Sequence, residues 1–131
     1  MIYPDPEEVF ETEYELKASP SLLVGYLIDS DLIAEWFVEK ASIRGKNCVL
    51  HWDGSDYKAV LINKETDDTV RYDITYSKDE MRFIEFIVDY NAFTETIFFT
   101  IRDGFNLEED DDDLEAIWDQ AITNLQDKIG R

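Results

Sequence analysis

The stretch from Leu114 to Ile129, LEAIWDQAITNLQDKI, decides the fold of this chain. Its apolar residues recur at helical spacing and share one wide helical face, namely Leu114, Ile117, Trp118, Ala121, Ile122, Leu125 and Ile129. The acids Glu108 to Asp113 precede it, where the positive end of a helix dipole favours negative charge. Asp112 and Glu115 have the spacing of a capping box. The pattern predicts one long amphipathic helix late in the sequence.

Most of the sequence between Val38 and Ile101 is typical of short strands. Turn-forming residues interrupt it at short intervals, at Gly45 to Asn47, Asp53 with Gly54, Lys64 to Asp68, Ser77 to Asp79, and Asp89 to Asn91. Between these turns apolar and polar residues alternate, as they do around Tyr72, Ile74 and Tyr76. The pattern predicts about six strands joined as a meander of hairpins.

One further strand and two short helices precede this meander. Val9 to Leu16 alternates like a half-buried strand, and Ser19 with Pro20 supplies the cap and first residue of a helix. Asp29 to Asp31 interrupts that helix and offers a second cap. Because the long helix needs an apolar partner, the elements predict an α+β fold. We expect a curved antiparallel sheet of about seven strands, two short helices after strand 1, and the long C-terminal helix packed across the sheet.

Length and charge limit the possible functions. We expect residues 1–131 to form a single domain. With 12 basic and 31 acidic residues the formal charge is −19, which repels phosphate backbones and argues against nucleic-acid binding. Met1 to Glu11 lacks a basic segment followed by an apolar run, and nowhere do about eighteen apolar residues occur consecutively, so we expect neither a signal peptide nor a membrane helix. Cys48 is the only cysteine, so no internal disulfide forms. These features predict a cytoplasmic protein that is not embedded in a membrane.

The element order and several short motifs resemble those of START-like domain proteins. The matching residues are Ala18-Ser19-Pro20 with Leu23, Ala34-Glu35-Trp36-Phe37, Trp52-Asp53-Gly54-Ser55 with Ala59, and Leu114, Trp118 and Leu125. The resemblance covers nearly the whole chain and points to a small bacterial family within the SRPBCC superfamily, which has the helix-grip or Bet v 1-like fold. The chain departs from the family pattern at Arg102-Asp103-Gly104-Phe105, where an Asp-Phe-Ala type segment is expected.

The resemblance implies architecture more firmly than activity. Other branches of the superfamily bind lipids, sterols, hormones or polyketides between sheet and helix, or activate chaperones. We therefore predict a ligand cavity under the long helix. Its candidate ligand-binding residues, placed on the inner face by strand parity and helical spacing, are Trp52, Tyr57, Leu61, Tyr72, Ile74, Phe83, Glu85, Phe99, Trp118 and Ile122. Ordinary core packing is the alternative for each, because large aromatic side chains can fill a small interior completely.

The candidate catalytic and metal-binding residues favour structural roles. Strand parity places His51 on the opposite side of the sheet from Leu50 and Trp52, so we expect a solvated residue rather than a general base. Cys48 shares the face of Leu50 and is expected to be a small buried hydrophobe. No G-x-S-x-G, H-E-x-x-H or glycine-rich phosphate loop is present. These observations favour a protein that is not an enzyme. Cyclisation or hydrolysis by scattered cavity residues, which the resemblance to the superfamily implies for some members, is the minor alternative.

The acidic residues give no metal or cofactor prediction. The run Glu108 to Asp113 lacks the alternating ligands and the glycine of a calcium loop. Glu85 lies in an apolar strand, where a carboxylate facing the interior needs a partner. Arg71 and Arg82 are the candidate partners, and outward exposure is the equal alternative.

Two functions follow from these expectations. The first is non-catalytic binding of a small apolar or amphipathic molecule between the sheet and the long helix, with Tyr57, Tyr72 or Glu85 orienting its polar end. The second is a protein-interaction module, a homodimer or a chaperone-activator-like adaptor, in which the interior is filled and an exposed edge or apolar patch binds the partner.

Overall fold

A computed structural model describes residues 9–52, 54–64, 68–75, 81–105 and 111–129. The acids Glu108 to Asp110, Asp53 and the turn Ser77 to Asp79 lie outside these residues, and so does the side chain of Asp112 in the predicted capping box. The strands are β1 Phe10–Leu16, β2 Lys40–Arg44, β3 Asn47–Trp52, β4 Ser55–Lys64, β5 Thr69–Thr75, β6 Met81–Asn91 and β7 Thr96–Phe105. The helices are α1 Pro20–Ile28, α2 Ser30–Ile33 and α3 Asp111–Ile129.

The seven strands form one antiparallel sheet in the order β1-β7-β6-β5-β4-β3-β2. Strands β2 to β7 each pair with their neighbours in the chain, which confirms the predicted meander. Strand β1 closes the arrangement by pairing with β7, where Tyr14 lies opposite Phe99 and Leu16 opposite Ile97. The α+β helix-grip prediction is therefore confirmed, including the two short helices between β1 and β2.

The caps of the short helices form as the sequence predicts. The Ser19 hydroxyl accepts a hydrogen bond from the Leu22 backbone N–H at 3.2 Å, and Pro20 occupies the first turn of α1. Asp29 ends α1 and also caps α2, because its carboxylate accepts from the N–H groups of Asp31 and Leu32. This shared residue turns the chain so that the segment after α2 meets α3.

Helix α3 covers the inner face of the sheet with its apolar side. Leu114, Trp118, Ile122 and Leu125 are all buried. Ile117, which the helical pattern placed on the same face, is 46% exposed because it lies at the margin of that face. The Tyr14 hydroxyl donates to the Asp119 carboxylate at 2.6 Å and ties α3 to β1. Within the described ranges, none of the helices has both the length and the apolar character needed to cross a membrane.

The inner-face prediction is wrong for Phe83 and Glu85 in β6. Pairing with β5 places Phe83 opposite Asp73 and Glu85 opposite Arg71, on the outer face of the sheet. The inward residues of β6 are Arg82, Ile84, Phe86 and Val88. The pattern misleads because β6 is apolar on both faces: outside the sheet, the Phe83 ring is buried beneath the Arg71 guanidinium, 4.2 Å from the ring centroid. Phe83 and Glu85 therefore have no access to the space between the sheet and α3.

Glu85 is paired on that outer face. Its carboxylate accepts a hydrogen bond from Arg102 at 3.0 Å and lies 4.0 Å from Arg71. Arg71 is thus one of the two partners that the sequence suggested. Arg82, the other, faces inward and has a different carboxylate as its partner.

Candidate functional site

Aromatic side chains fill the centre of the space beneath α3. The Trp118 ring stacks on Phe37, with centroids 5.4 Å apart and an angle of 14° between the planes. Phe86 stacks on Phe99 at 5.7 Å and meets Phe37 edge to face at 5.6 Å. All of these rings are buried. The described centre is therefore a packed core rather than the cavity that the sequence predicted under the long helix, and open space lies at one end of it.

That space is a cleft of about 500 Å³ between the segment after α2, the ends of β3, β4 and β6, and one side of α3. Of its eleven described lining residues, seven are aromatic or aliphatic, three are charged and one carries an amide, and polar atoms contribute about as much of its surface as apolar atoms. The described lining residues are Ala34, Glu35, Trp36, Phe37, Val38, Glu39, Trp52, Tyr57, Arg82, Ile117 and Asn124. We call this feature the end cleft.

The structure divides the predicted ligand-binding residues into three groups. Trp52 and Tyr57 line the end cleft. The second group packs in or against the core and consists of Leu61, Tyr72, Ile74, Phe99, Trp118 and Ile122. Phe83 and Glu85 form the third group, on the outer face. Two of the predicted ligand-binding residues, Trp52 and Tyr57, therefore line the cleft. The residues of the second group form the packed interior beside it.

The segment between α2 and β2 builds one wall of the cleft. Its backbone folds back on α2, since the Phe37 N–H donates to the Ile33 carbonyl at 3.0 Å. The Trp36 indole N–H donates to the Tyr26 carbonyl at 2.8 Å, which anchors the ring to α1. Phe37 then reaches across to Trp52, with centroids 5.1 Å apart. These contacts hold the segment against α1 on one side and against Trp52 on the other.

Arg82, in the opposite wall, belongs to a buried ion pair. The Arg82 guanidinium donates two hydrogen bonds to the Asp103 carboxylate, from Nε at 2.9 Å and from Nη2 at 2.6 Å. The Trp118 indole N–H donates to the same carboxylate at 2.9 Å. Arg82 also stacks over the Trp52 ring at 4.2 Å. Because Asp103 is fully buried, this network fixes the orientation of the cleft residue Trp52 and of the core residue Trp118 relative to the sheet.

Two acidic residues, Glu35 and Glu39, line the cleft and are exposed. Burial, together with the charge of Glu35 and a hydrogen bond to it, raises the pKa of the Tyr26 hydroxyl. Glu39 lies 3.3 Å from His51 Nε2, and His51 Nδ1 lies 2.7 Å from Asp56. Strand β3 directs His51 to the outer face, where the sequence placed it.

Sequence reasoning missed Arg82, Asp103 and Ile117 as parts of this site. For Arg82 a signal was present: Glu85 and Asp89 share one parity in β6, which indicates that the other parity, with Arg82, faces inward. For Asp103 the arrangement depends on the register between β6 and β7, which no local pattern reveals. In the part of the chain that the structure describes, no group of three His, Cys, Asp or Glu side chains is arranged to hold a metal ion.

Tyr72 gives a pH-dependent prediction for the core. Its hydroxyl donates to the Leu27 carbonyl at 2.6 Å, and burial raises its pKa, with a smaller contribution from Cys48. When folding raises the pKa of a tyrosine, its contribution to the free energy of unfolding is fully present below the pKa of the unfolded chain, about 10. That contribution is lost as the pH rises above this value. We expect Tyr72→Phe to lower the free energy of unfolding by about 1 kcal/mol at neutral pH. Urea unfolding measures this difference in free energy between the wild type and the variant, which should be smaller at about pH 11 than at about pH 8. A deficit that grows with pH would contradict the assignment.

Comparison with known proteins identifies the architecture. The family model described as START-like superfamily domain matches residues 6–131. The chain belongs to the START-like superfamily. A search of the curated proteins found no match.

Solved structures with the same fold have low sequence identity to this START-like chain. Protein MLL2253 from Mesorhizobium loti has a TM-score of 0.72 at 19% identity, covering 91% of this chain and 94% of its own. CalU16 from Micromonospora echinospora has a TM-score of 0.68 at 14% identity, covering 89% and 73%. The Aha1 dimer from Colwellia psychrerythraea has a TM-score of 0.69 at 17% identity, covering 92% and 95%. At these identities the likeness shows the fold alone.

Proposed function

We propose that this START-like domain binds a small amphipathic molecule in the end cleft and does not transform it. The observation that carries the proposal is a cleft of about 500 Å³ lined by four aromatic residues and by Arg82, whose guanidinium is held by the buried Asp103. Ligand pockets have volumes of roughly 300–1,000 Å³ and combine apolar walls with a few polar groups. Trp52 and Tyr57 are the proposed contacts retained from the sequence, joined by Trp36, Phe37, Arg82 and Ile117.

Binding without catalysis is supported by the chemistry of the lining. The described lining side chains include no serine, cysteine, lysine or histidine that could act as an activated nucleophile. His51 lies on the outer face between Glu39 and Asp56. Burial raises the pKa of the Cys48 thiol, which disfavours the reactive thiolate. Cytoplasmic location remains a prediction from the sequence.

Ile117 offers a direct test of the site. We expect Ile117→Gln to raise the Kd for octanol about fivefold, because the ligand loses roughly 1 kcal/mol of apolar contact with α3. Val49→Gln is the matched control: Val49 is 42% exposed, close to the 46% of Ile117, but lies on the outer face of β3. Tryptophan fluorescence follows the titration, since Trp36 and Trp52 line the cleft.

Two results would contradict the proposed function. One is the failure of octanol and related amphiphiles to bind the wild-type protein. The other is an equal loss of affinity in both variants, which would mean that the probe binds elsewhere. Native mass spectrometry of the purified protein gives a second measurement, because a ligand retained from the cell adds a discrete mass.

A protein-interaction role is the second candidate, and one side chain favours it. Phe93, in the turn between β6 and β7, is fully exposed. Its turn is held by the Asn91 carboxamide, which accepts hydrogen bonds from the backbone of Phe93 and Thr94, and by Lys17, which donates to Thr96 at 2.8 Å. Aromatic residues, phenylalanine among them, are enriched at protein interfaces. Sedimentation velocity on the wild-type protein tests for the homodimer.

A further inference from the structure

The end cleft carries an imbalance of charge that bears on the kind of ligand it takes. Among the residues that the structure describes, the charged lining residues are Glu35, Glu39 and Arg82. Arg82 makes a bidentate ion pair with Asp103, at 2.9 and 2.6 Å, so this pair has no net charge. Of the described lining residues, Glu35 and Glu39 therefore set the sign of the local potential.

The groups beside Glu39 do not reverse that sign. His51 lies 3.3 Å from Glu39 but only 2.7 Å from Asp56, so one imidazole is shared by two carboxylates. Lys40 pairs with His51 across β2 and β3 and is exposed on the outer face. Even with His51 protonated, the charges of Glu39, Asp56, His51 and Lys40 sum to zero. The negative charge of Glu35 then remains. The net charge of −19 on the whole chain adds a long-range potential of the same sign.

The walls of the cleft suit a positive charge for a second, independent reason. Four aromatic side chains line it, Trp36, Phe37, Trp52 and Tyr57. The faces of aromatic rings are electronegative and attract cations. The protein already uses this property at Trp52, whose ring holds the Arg82 guanidinium at 4.2 Å.

We infer that the end cleft selects amphipathic ligands whose polar end is a protonated amine and disfavours those that end in a carboxylate. This inference builds on the proposed function and narrows its ligand class. The apolar part of such a ligand contacts the aromatic wall and Ile117, and the ammonium group lies toward Glu35 and Glu39.

The test compares three probes of equal chain length, octylamine, octanol and octanoate, by isothermal titration calorimetry at neutral pH and low salt. We expect octylamine to bind about tenfold more tightly than octanoate, with octanol between them. The ratio should fall as salt is added, because exposed charges are screened.

Two double variants separate a local effect from the charge of the whole chain. Glu35→Gln with Glu39→Gln should abolish the preference for octylamine. Glu13→Gln with Glu15→Gln changes the net charge equally, but these residues are exposed on the outer face of β1, and this variant should keep the preference. Thermal unfolding of both variants verifies that they fold.

Each outcome bears on one of the two proposals. If octanol and octanoate bind as tightly as octylamine, the inference is overturned while ligand binding stands. If the preference survives loss of Glu35 and Glu39, or disappears equally in the control variant, the assignment to these carboxylates is overturned. If none of the three probes binds, the proposed function fails as well.

Discussion

Replacing Arg82 with methionine is expected to lower the free energy of unfolding by about 3–5 kcal/mol, the largest effect of any single change considered for this protein. The substitution leaves the fully buried Asp103 carboxylate with the Trp118 indole N–H and without its guanidinium. Taking an uncompensated carboxylate out of water costs several kcal/mol, whereas methionine replaces only the packing of the arginine stem. Chemical denaturation measures the loss.

The control for this prediction removes both charges at once. The double variant Arg82→Met with Asp103→Leu buries no ion, so we expect it to be more stable than Arg82→Met alone. If the single and double variants lost the same stability, packing rather than charge would explain the effect. The cleft would still lose its Arg82 contact with Trp52 in both variants, so ligand binding is measured separately.

Gly104→Ala is expected to destabilise the protein by about 1–3 kcal/mol, although alanine adds a single methyl group. A Cβ at this position would lie 2.6 Å from Cδ1 and 2.7 Å from Cζ of Phe83, and closer still to Cε1. Phe83 lies directly opposite Gly104 in the β6–β7 pair and covers the glycine, so its ring has to move. The Arg71 guanidinium 4.2 Å from the ring centroid limits that movement.

Gly25→Ala provides the matched control. Gly25 lies in α1, where an added Cβ meets only a Leu32 methyl carbon at 3.7 Å, an ordinary contact. Because alanine has the higher helix propensity, this variant should be neutral or slightly stabilised. In a Phe83→Ala background the cost of Gly104→Ala should largely vanish. A cost that persisted there would rule out the ring clash as its cause.

Elements that depend on local chemistry could be predicted from the sequence. Ser19 and Asp29 cap the short helices because their side chains reach N–H groups two or three residues away, and such spacing is visible in any sequence. The strand alternation from Tyr72 to Ile74 is equally local. These signals, with the amphipathic pattern of α3, were enough for the helix-grip fold.

Features that depend on distant pairing could not be predicted in the same way. Apolar residues occupy both faces of β6, so the alternation of apolar residues did not decide between Phe83 and Arg82 as the inward residue, and only the shared parity of Glu85 and Asp89 pointed to Arg82. The outer placement of Phe83 requires Gly104 opposite it and Arg71 beside it, both distant in the sequence. The position of the cleft likewise depends on how Trp36 and Phe37 enter the core. Their contacts with Tyr26 and Trp118 determine this, and Trp118 is distant in the sequence.

The strand order also determines how the chain assembles. Each pairing from β2 to β7 joins consecutive strands, so the entropy lost in closing each loop is small and the meander can zip up hairpin by hairpin. Strand β1 differs, because it pairs with β7, the described strand farthest from it in the sequence, with Leu16 opposite Ile97. Among the described strand pairings this is the long-range one, and β1 cannot complete it until β7 has been synthesised.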